Sequence, residues 1–336
     1  MLFPTRLLTP GTGRLLAGAL LLLISACKKN DDSSPAVPPG PAAVSFTQAS
    51  LYPEGMEYDP TGQRFFVSSL TKGTIGQVKD DGTYAAFADD PALVSTTGLQ
   101  LDPGRNRLLV AVSDFGNTPR STAATSFKLA GLATFDVTTG KRTAYANLSA
   151  LRPGQPHFAN DITFDAQGNY YVTDSFSPII YKVDAQGVAS IFLESSKLAT
   201  QAGQFGLNGI VYHPDGYLLV LHSTQGVLYK VPLANPAAYS AVTVSQNLAG
   251  ADGLLLTDNQ HVLVASNSQN LVLRLATADG WATATGIGSV ATGDIFPTSL
   301  APRGTNNYVL YSHINTLLSG ATSPAAQYSI TKVVLP

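Results

Sequence analysis

A strand pair of sixteen residues recurs along the chain from residue 43 onward, and it restricts the possible folds more than any other feature. Each copy opens on a polar residue, then Gly or a small residue, then three alternating positions. A turn follows, and a β-rich run closes the copy on polar residues. The first copy is Glu54-Gly-Met-Glu-Tyr-Asp-Pro-Thr-Gly-Gln-Arg-Phe-Phe-Val-Ser-Ser69, and others start at Thr97, Asn160, Asn208 and Asp252. A degenerate sixth begins at Thr298 and continues to His313, so the starts are spaced by 43, 63, 48, 44 and 46 residues. Each interval holds about four short strands, the size of one propeller blade. Asp-Pro-Thr-Gly and His-Pro-Asp-Gly are turn chemistry joining the first two strands. No helical period is sustained after residue 43. The reading is an all-β, six-bladed β-propeller over 43–336, in which Ser329–Leu335 and Val44–Thr47 together complete the last blade and remove exposed edges.

Composition supports a large core and narrows the partners. Hydrophobic residues make up 44% of the chain, and its net charge of −2 comes without any basic run. This balance excludes a nucleic-acid binder, whose affinity rests on neutralising phosphates. The single Cys excludes an intramolecular disulfide or a thiolate zinc cluster.

That Cys lies in the leader. Arg6 and Arg14 precede the apolar run Leu15–Ile24, which is too short to span a bilayer but suits a secretory signal. Ile24-Ser25-Ala26-Cys27 resembles the bacterial lipobox, which implies a lipoprotein signal peptide over 1–26, cleavage before Cys27 and lipid on that residue. Residues 27–42 are charged, Ser-rich and Pro-rich, so they are expected to form a disordered tether. Lys28 after the Cys points to the outer membrane, with the chain periplasmic or surface-exposed and attached to the membrane only through its lipid.

The first strand of each propeller blade lines the central channel, so the first residues of the six copies converge on one mouth. They are Glu54, Thr97, Asn160, Asn208, Asp252 and Thr298. Two carboxylates at one mouth repel and raise each other's pKa, and a divalent cation removes that penalty. Oxygen donors from Asp, Glu and Asn suit Ca²⁺, with zinc or another divalent ion as second choice.

Pro53-Glu54-Gly55, Ala159-Asn160-Asp161, Leu207-Asn208-Gly209 with Pro214-Asp215-Gly216, and Ala251-Asp252-Gly253 resemble the senescence-marker-protein (regucalcin)/gluconolactonase family, within the calcium-dependent phosphotriesterase superfamily. The resemblance implies metal ligands at Glu54, Asn160, Asn208 and Asp252, with Asp252 also the catalytic base or nucleophile. It implies a hydrolase of lactones or related esters acting on a small molecule, and the chain is expected to be a monomer. Gly-Met after Glu54 departs from the family's pattern, and the second repeat carries an insertion.

The second strands return to the same rim. Their ends include Ser69, Asp114, Asp174, His222, Asn267 and His313. Asp114, Asp174, His222 and His313 are expected in the substrate pocket, the histidines as proton shuttles. The long spacing after the second copy places an insertion near Ser113–Ser121, ending around Lys128, which is expected to cover the mouth and offer Arg120 and Lys128 to an anionic substrate. An alternative class fits the same sequence: a non-catalytic surface propeller lipoprotein binding a sugar, peptide or partner protein.

Overall fold

The computed structural model describes residues 40–293, 295–321 and 323–335. The chain divides into residues 1–36 and a unit from Val37 onward. The signal peptide, Cys27 and most of the tether lie outside the described residues. The expected tether ends early, because Tyr308 Oη donates to the Pro41 carbonyl (2.8 Å) and the Lys332 N–H to the Ala42 carbonyl (2.9 Å).

The described residues form an all-β, propeller-like fold with one short α-helix, Ile314–Leu318. Among them no helix is long and apolar enough to cross a membrane. The strands pair as antiparallel meanders of four, and the short strand Thr243–Val244 adds in parallel to the outer strand Thr283–Ala291 of one of them. Their innermost strands are Met56–Asp59, Ser95–Asp102, His157–Phe164, Leu207–His213, Ala251–Asp258 and Pro297–Arg303. The second and third meanders share a short parallel pairing, His157 with Lys128 and Phe158 with Leu129. The last meander is completed by the N-terminal strand Ala43–Thr47, which pairs antiparallel with Gln327–Lys332 so that Val44 faces Ile330.

Apolar side chains lie between consecutive meanders. Leu99, Val110 and Phe135 pack on Phe66 and Ile75, and the pattern continues round to Leu263 and Val272 against Leu300 and Val309. The last meander packs on the first in the same way, through Tyr308, Tyr328 and Ile330 against Met56, Phe65 and Val67. Arg303 fastens this contact with two hydrogen bonds to the Asp80 carboxylate (2.5 and 2.7 Å) while lying over the Tyr58 ring. The core is therefore a series of sheet-on-sheet layers.

A bulge recurs at the start of the repeat. Register shifts fall between Thr96 and Leu99, Ala159 and Ile162, Leu207 and Ile210, Ala251 and Leu254, and Pro297 and Leu300. The two residues inside each bulge are the first two of a copy. A bulge re-aims side chains next to a site, so each opening polar residue leaves the plane of its sheet. The glycine after it answers to a close approach. A Cβ on Gly209 would run into the Asp252 carbonyl, and one on Gly98 into the Asn160 carbonyl.

Candidate functional site

Glu54, Asn160, Asn208 and Asp252 line one cavity of about 420 Å³ at the end of the inner strands. Asn160, Asn208 and Asp252 are buried. Glu54 and Asn208 also line a second cavity of about 410 Å³ on their other side, together with Glu57, Gln100 and Asp161. Thr97 and Thr298 do not line the first cavity. Thr97 Oγ1 instead donates to the Ala159 carbonyl (2.8 Å), tying the second inner strand to the third.

The two amides are oriented by serines fifteen residues further along. Asn160 Nδ2 donates to Ser175 Oγ (2.9 Å), and that hydroxyl donates its own proton to the Leu207 carbonyl (2.6 Å). Asn208 Nδ2 donates to Ser223 Oγ (3.0 Å), which donates to the Ala251 carbonyl. With its proton committed to a carbonyl, each serine oxygen must accept, so each asparagine presents nitrogen to it and turns its oxygen elsewhere. Asn267 fills the equivalent place for Asp252, donating from Nδ2 to Oδ2 (2.8 Å). The sequence reading missed Ser175 and Ser223, although both stand at the last position of their copies.

Acidic groups crowd this axis. Burial raises Glu54 well above the usual carboxylate range, and the charges of Asp252 and Asp161 add to the rise. Burial lifts Asp252 to about 7 against hydrogen bonds from Asn267 and Asn208, with Asp161 adding repulsion. Asp161 also reaches about 7 through burial, opposed by the Ile162 and Ile210 N–H groups. Glu57 is raised by burial and by Asp161. No Lys, Arg or His lines either cavity among the described residues.

The donor set fits a hard divalent cation. Glu54 Oε2 and Asn160 Oδ1 are both buried without a hydrogen-bond partner, and both residues line the first cavity. Buried acceptors are ordinarily paired, and unpaired ones mark a place for an ion or water. Among the described residues, no three His, Cys, Asp or Glu side chains gather as a metal cluster. The set here is two carboxylates and two amide oxygens, which matches Ca²⁺ chemistry better than zinc.

The structure corrects the expectation for the four outer residues, since Asp114, Asp174, His222 and His313 do not line the cavity. Asp114 anchors the insertion: Oδ1 accepts from the Gly116 N–H and Ser121 Oγ, and Oδ2 from Thr125 Oγ1. Asp174 is fully buried, taking the Phe158, Phe176 and Ser177 N–H groups on Oδ1 and His157 and Tyr181 on Oδ2. His222 uses both ring nitrogens, Nε2 donating to the Leu198 carbonyl and Nδ1 accepting the Gln225 N–H, and burial lowers its pKa. Burial also lowers His313, whose ring packs edge-on to Tyr328. Arg120 is held away by the Gly73 and Leu93 carbonyls, and Lys128 is exposed. The insertion sends Phe115 into the cavity wall instead.

Solved structures share this fold at low identity. The major allergen Mala s 1 of Malassezia sympodialis superposes with a TM-score of 0.70 at 19% identity, covering 88% of this chain and 96% of that one. A gluconolactonase of Xanthomonas campestris gives 0.58 at 14%, covering 87% and 89%. Virginiamycin B lyase of Staphylococcus aureus gives 0.54 at 12%, covering 87% and 99%. No curated protein matches the chain. Residues 52–308 match the family model described as SMP-30/Gluconolactonase/LRE-like region. With that match spanning the first inner strand to the last meander, the chain belongs to the SMP-30/gluconolactonase/LRE-like family.

Proposed function

We propose that the protein is a calcium-type, metal-dependent hydrolase of lactones or related esters, built on a closed six-bladed propeller. The observation that carries this reading is the pair of partnerless buried oxygens, Glu54 Oε2 and Asn160 Oδ1, on residues that line one cavity together with Asp252. Family membership and the likeness to a gluconolactonase point the same way. The packing of the last meander on the first supports a closed ring of blades.

Glu54, Asn160, Asn208 and Asp252 would hold the ion, and bound Ca²⁺ supplies Lewis-acid polarisation of the substrate carbonyl. Asp252 is the general base. Asn267 fixes its Oδ2, and Asp252 takes a proton from the attacking water as the water oxygen bonds to the carbonyl carbon. As the ring C–O bond breaks, that proton returns to the leaving oxygen and a hydroxy acid is released. Ser175 holds Asn160 with its unpaired oxygen free for the ion, whereas Asn208 gives its nitrogen to Ser223 and to the Asp252 carboxylate.

Chelation of the purified protein followed by Ca²⁺ addition, read by calorimetry and on a panel of lactones, aryl esters and phosphotriesters, tests this reading. Restored turnover that is abolished in Asp252→Asn is expected. Full Ca²⁺-dependent lactonase activity in Asp252→Asn would refute the mechanism. Ca²⁺ binding without turnover on the whole panel would favour the non-catalytic surface propeller. We further propose that lipidated Cys27 holds the chain at the bacterial cell envelope. Mass spectrometry of membrane fractions should find an acylated Cys27 N-terminus, and a soluble, unacylated chain from its native host would refute this.

A further inference from the structure

Above its polar floor the candidate cavity is walled by hydrocarbon. Phe115, Phe158, Phe205 and Phe296 line it together with Leu70 and Ile314. The rings brace one another. Phe158 meets Phe205 edge-on at 5.6 Å and Phe115 at 5.9 Å, while Phe115 and Phe205 stack at 6.3 Å. Phe176 stands behind, 5.2 Å from both Phe158 and Phe205. Leu318, 51% exposed, also lines the cavity, and Phe127, 45% exposed, packs edge-on to Phe115 at 5.5 Å on the side away from the lining. Exposed apolar surface gathered at a cavity mouth marks a binding surface, whereas single exposed apolar residues need no explanation.

Above the floor the lining hydroxyls are spent on backbone carbonyls, and the amide of Gln204, exposed to solvent, is the main side-chain donor left there. Ser223 Oγ donates to the Ala251 carbonyl, Thr224 Oγ1 to the Phe205 carbonyl and Ser268 Oγ to the Ala249 carbonyl. A polyhydroxylated ring brings several hydroxyls into such a space, more than the one amide of Gln204 can partner, which costs binding. An anionic substrate finds no cationic side chain on the lining, and the two carboxylates of Glu54 and Asp252 already balance the charge of a divalent ion held beneath it. Apolar groups, in contrast, leave water for aromatic walls that are already assembled.

We infer that this site, on the hydrolase reading given above, selects neutral lactones or esters carrying an apolar alkyl or aryl substituent over sugar lactones and anionic esters. The carbonyl faces the polar floor, and the substituent lies along Phe115, Phe158 and Phe205 toward the exposed Leu318.

The test compares γ-butyrolactone, γ-undecalactone and glucono-δ-lactone on the Ca²⁺-loaded full-length protein, with kcat/KM and calorimetric Kd measured for each. Each methylene that leaves water contributes about a factor of four. Burial of three carbons of the side chain therefore predicts an advantage of roughly 60-fold for γ-undecalactone over γ-butyrolactone. Phe115→Ala and, separately, the milder Phe115→Leu should shrink that ratio, the former by tenfold or more, with near-ultraviolet circular dichroism confirming the fold. Turnover with equal or better kcat/KM on glucono-δ-lactone would overturn the selectivity and leave the hydrolase reading standing. Tighter binding of γ-undecalactone with no turnover of any lactone would uphold the selectivity and overturn the hydrolase reading. Equal Kd values for the long and short lactones, or no measurable binding of the long one, would overturn the selectivity.

Discussion

Ser175→Ala isolates the link between amide orientation and metal affinity. Ser175 Oγ accepts from Asn160 Nδ2 at 2.9 Å and donates to the Leu207 carbonyl at 2.6 Å. Truncation leaves a buried N–H group and a buried carbonyl unpaired, each costing about 1–3 kcal/mol. With partial relaxation, unfolding free energy in chelator should fall by about 2–4 kcal/mol. The effect on calcium is separate. Without Ser175, nothing obliges Asn160 to keep its nitrogen outward and its unpaired Oδ1 toward the cavity. Loss of such a supporting hydrogen bond typically weakens metal binding by about 10–100-fold, or about 1.4–2.7 kcal/mol. Calorimetric Ca²⁺ titration and urea unfolding read the two effects independently. Ser177→Ala is the control, because Ser177 Oγ bonds the Pro156 carbonyl (2.6 Å) and has no tie to Asn160. It should lose stability and keep its Kd. In an Asn160→Ala background the calcium cost of Ser175→Ala should largely vanish. Wild-type affinity in Ser175→Ala, or an undiminished cost in that background, would refute the reasoning.

Three further outcomes follow from the same geometry. Ca²⁺ at a hundredfold excess over its Kd should stabilise the folded chain by about 2.7 kcal/mol relative to chelator, and identical urea midpoints in both would argue against a folded-state calcium site. Gly209→Ala should cost about 1–3 kcal/mol, because its Cβ meets the Asp252 carbonyl, whereas Gly104→Ala, whose Cβ finds nothing closer than 3.7 Å, should cost little. Burial alone would lower His157, but the hydrogen bond and charge of Asp174 outweigh it and raise its pKa. That stabilisation is fully present below the unfolded pKa of about 6.5 and is lost as pH climbs through the raised folded value. The difference in unfolding free energy between Ca²⁺-loaded wild type and His157→Gln should therefore shrink from pH 6 to pH 9, and a constant difference would contradict the assignment.

The repeat was readable because strands impose a period of two and bulges recur at one place. Glu54, Asn160, Asn208 and Asp252 each open a copy, and the inner strands deliver them to one cavity. The error over Asp174 and His222 is a slip of one residue. Successive side chains on a strand face opposite ways, so Ser175 and Ser223 turn to the amides while Asp174 and His222 turn into the loops behind. Asn267 stands at the same register as those serines and lines the cavity, as its place at the end of a second strand predicts. The phenylalanine wall had no comparable signal. Phe115 sits in an insertion, Phe158 on an inner strand, Phe205 just before another, and Phe296 before the last. Their spacing is irregular, and they meet only when the meanders pack.

On the proposed calcium reading, the use of amides as well as carboxylates follows from the charge already on the axis. Glu57 and Asp161 lie in the second cavity, and with Glu54 and Asp252 all four are held above their ordinary pKa values. Further carboxylates at positions 160 and 208 would add repulsion that one divalent ion could not balance. Amide oxygens coordinate without charge, but an amide has a wrong end as well as a right one, so it must be oriented. Ser175 and Ser223 supply that orientation only because their own protons are taken by Leu207 and Ala251, backbone carbonyls of the next meander. The packing of one sheet against its neighbour thus decides which end of Asn160 is left unpaired. Altering that inter-sheet contact changes the donor set even when all four lining residues are kept.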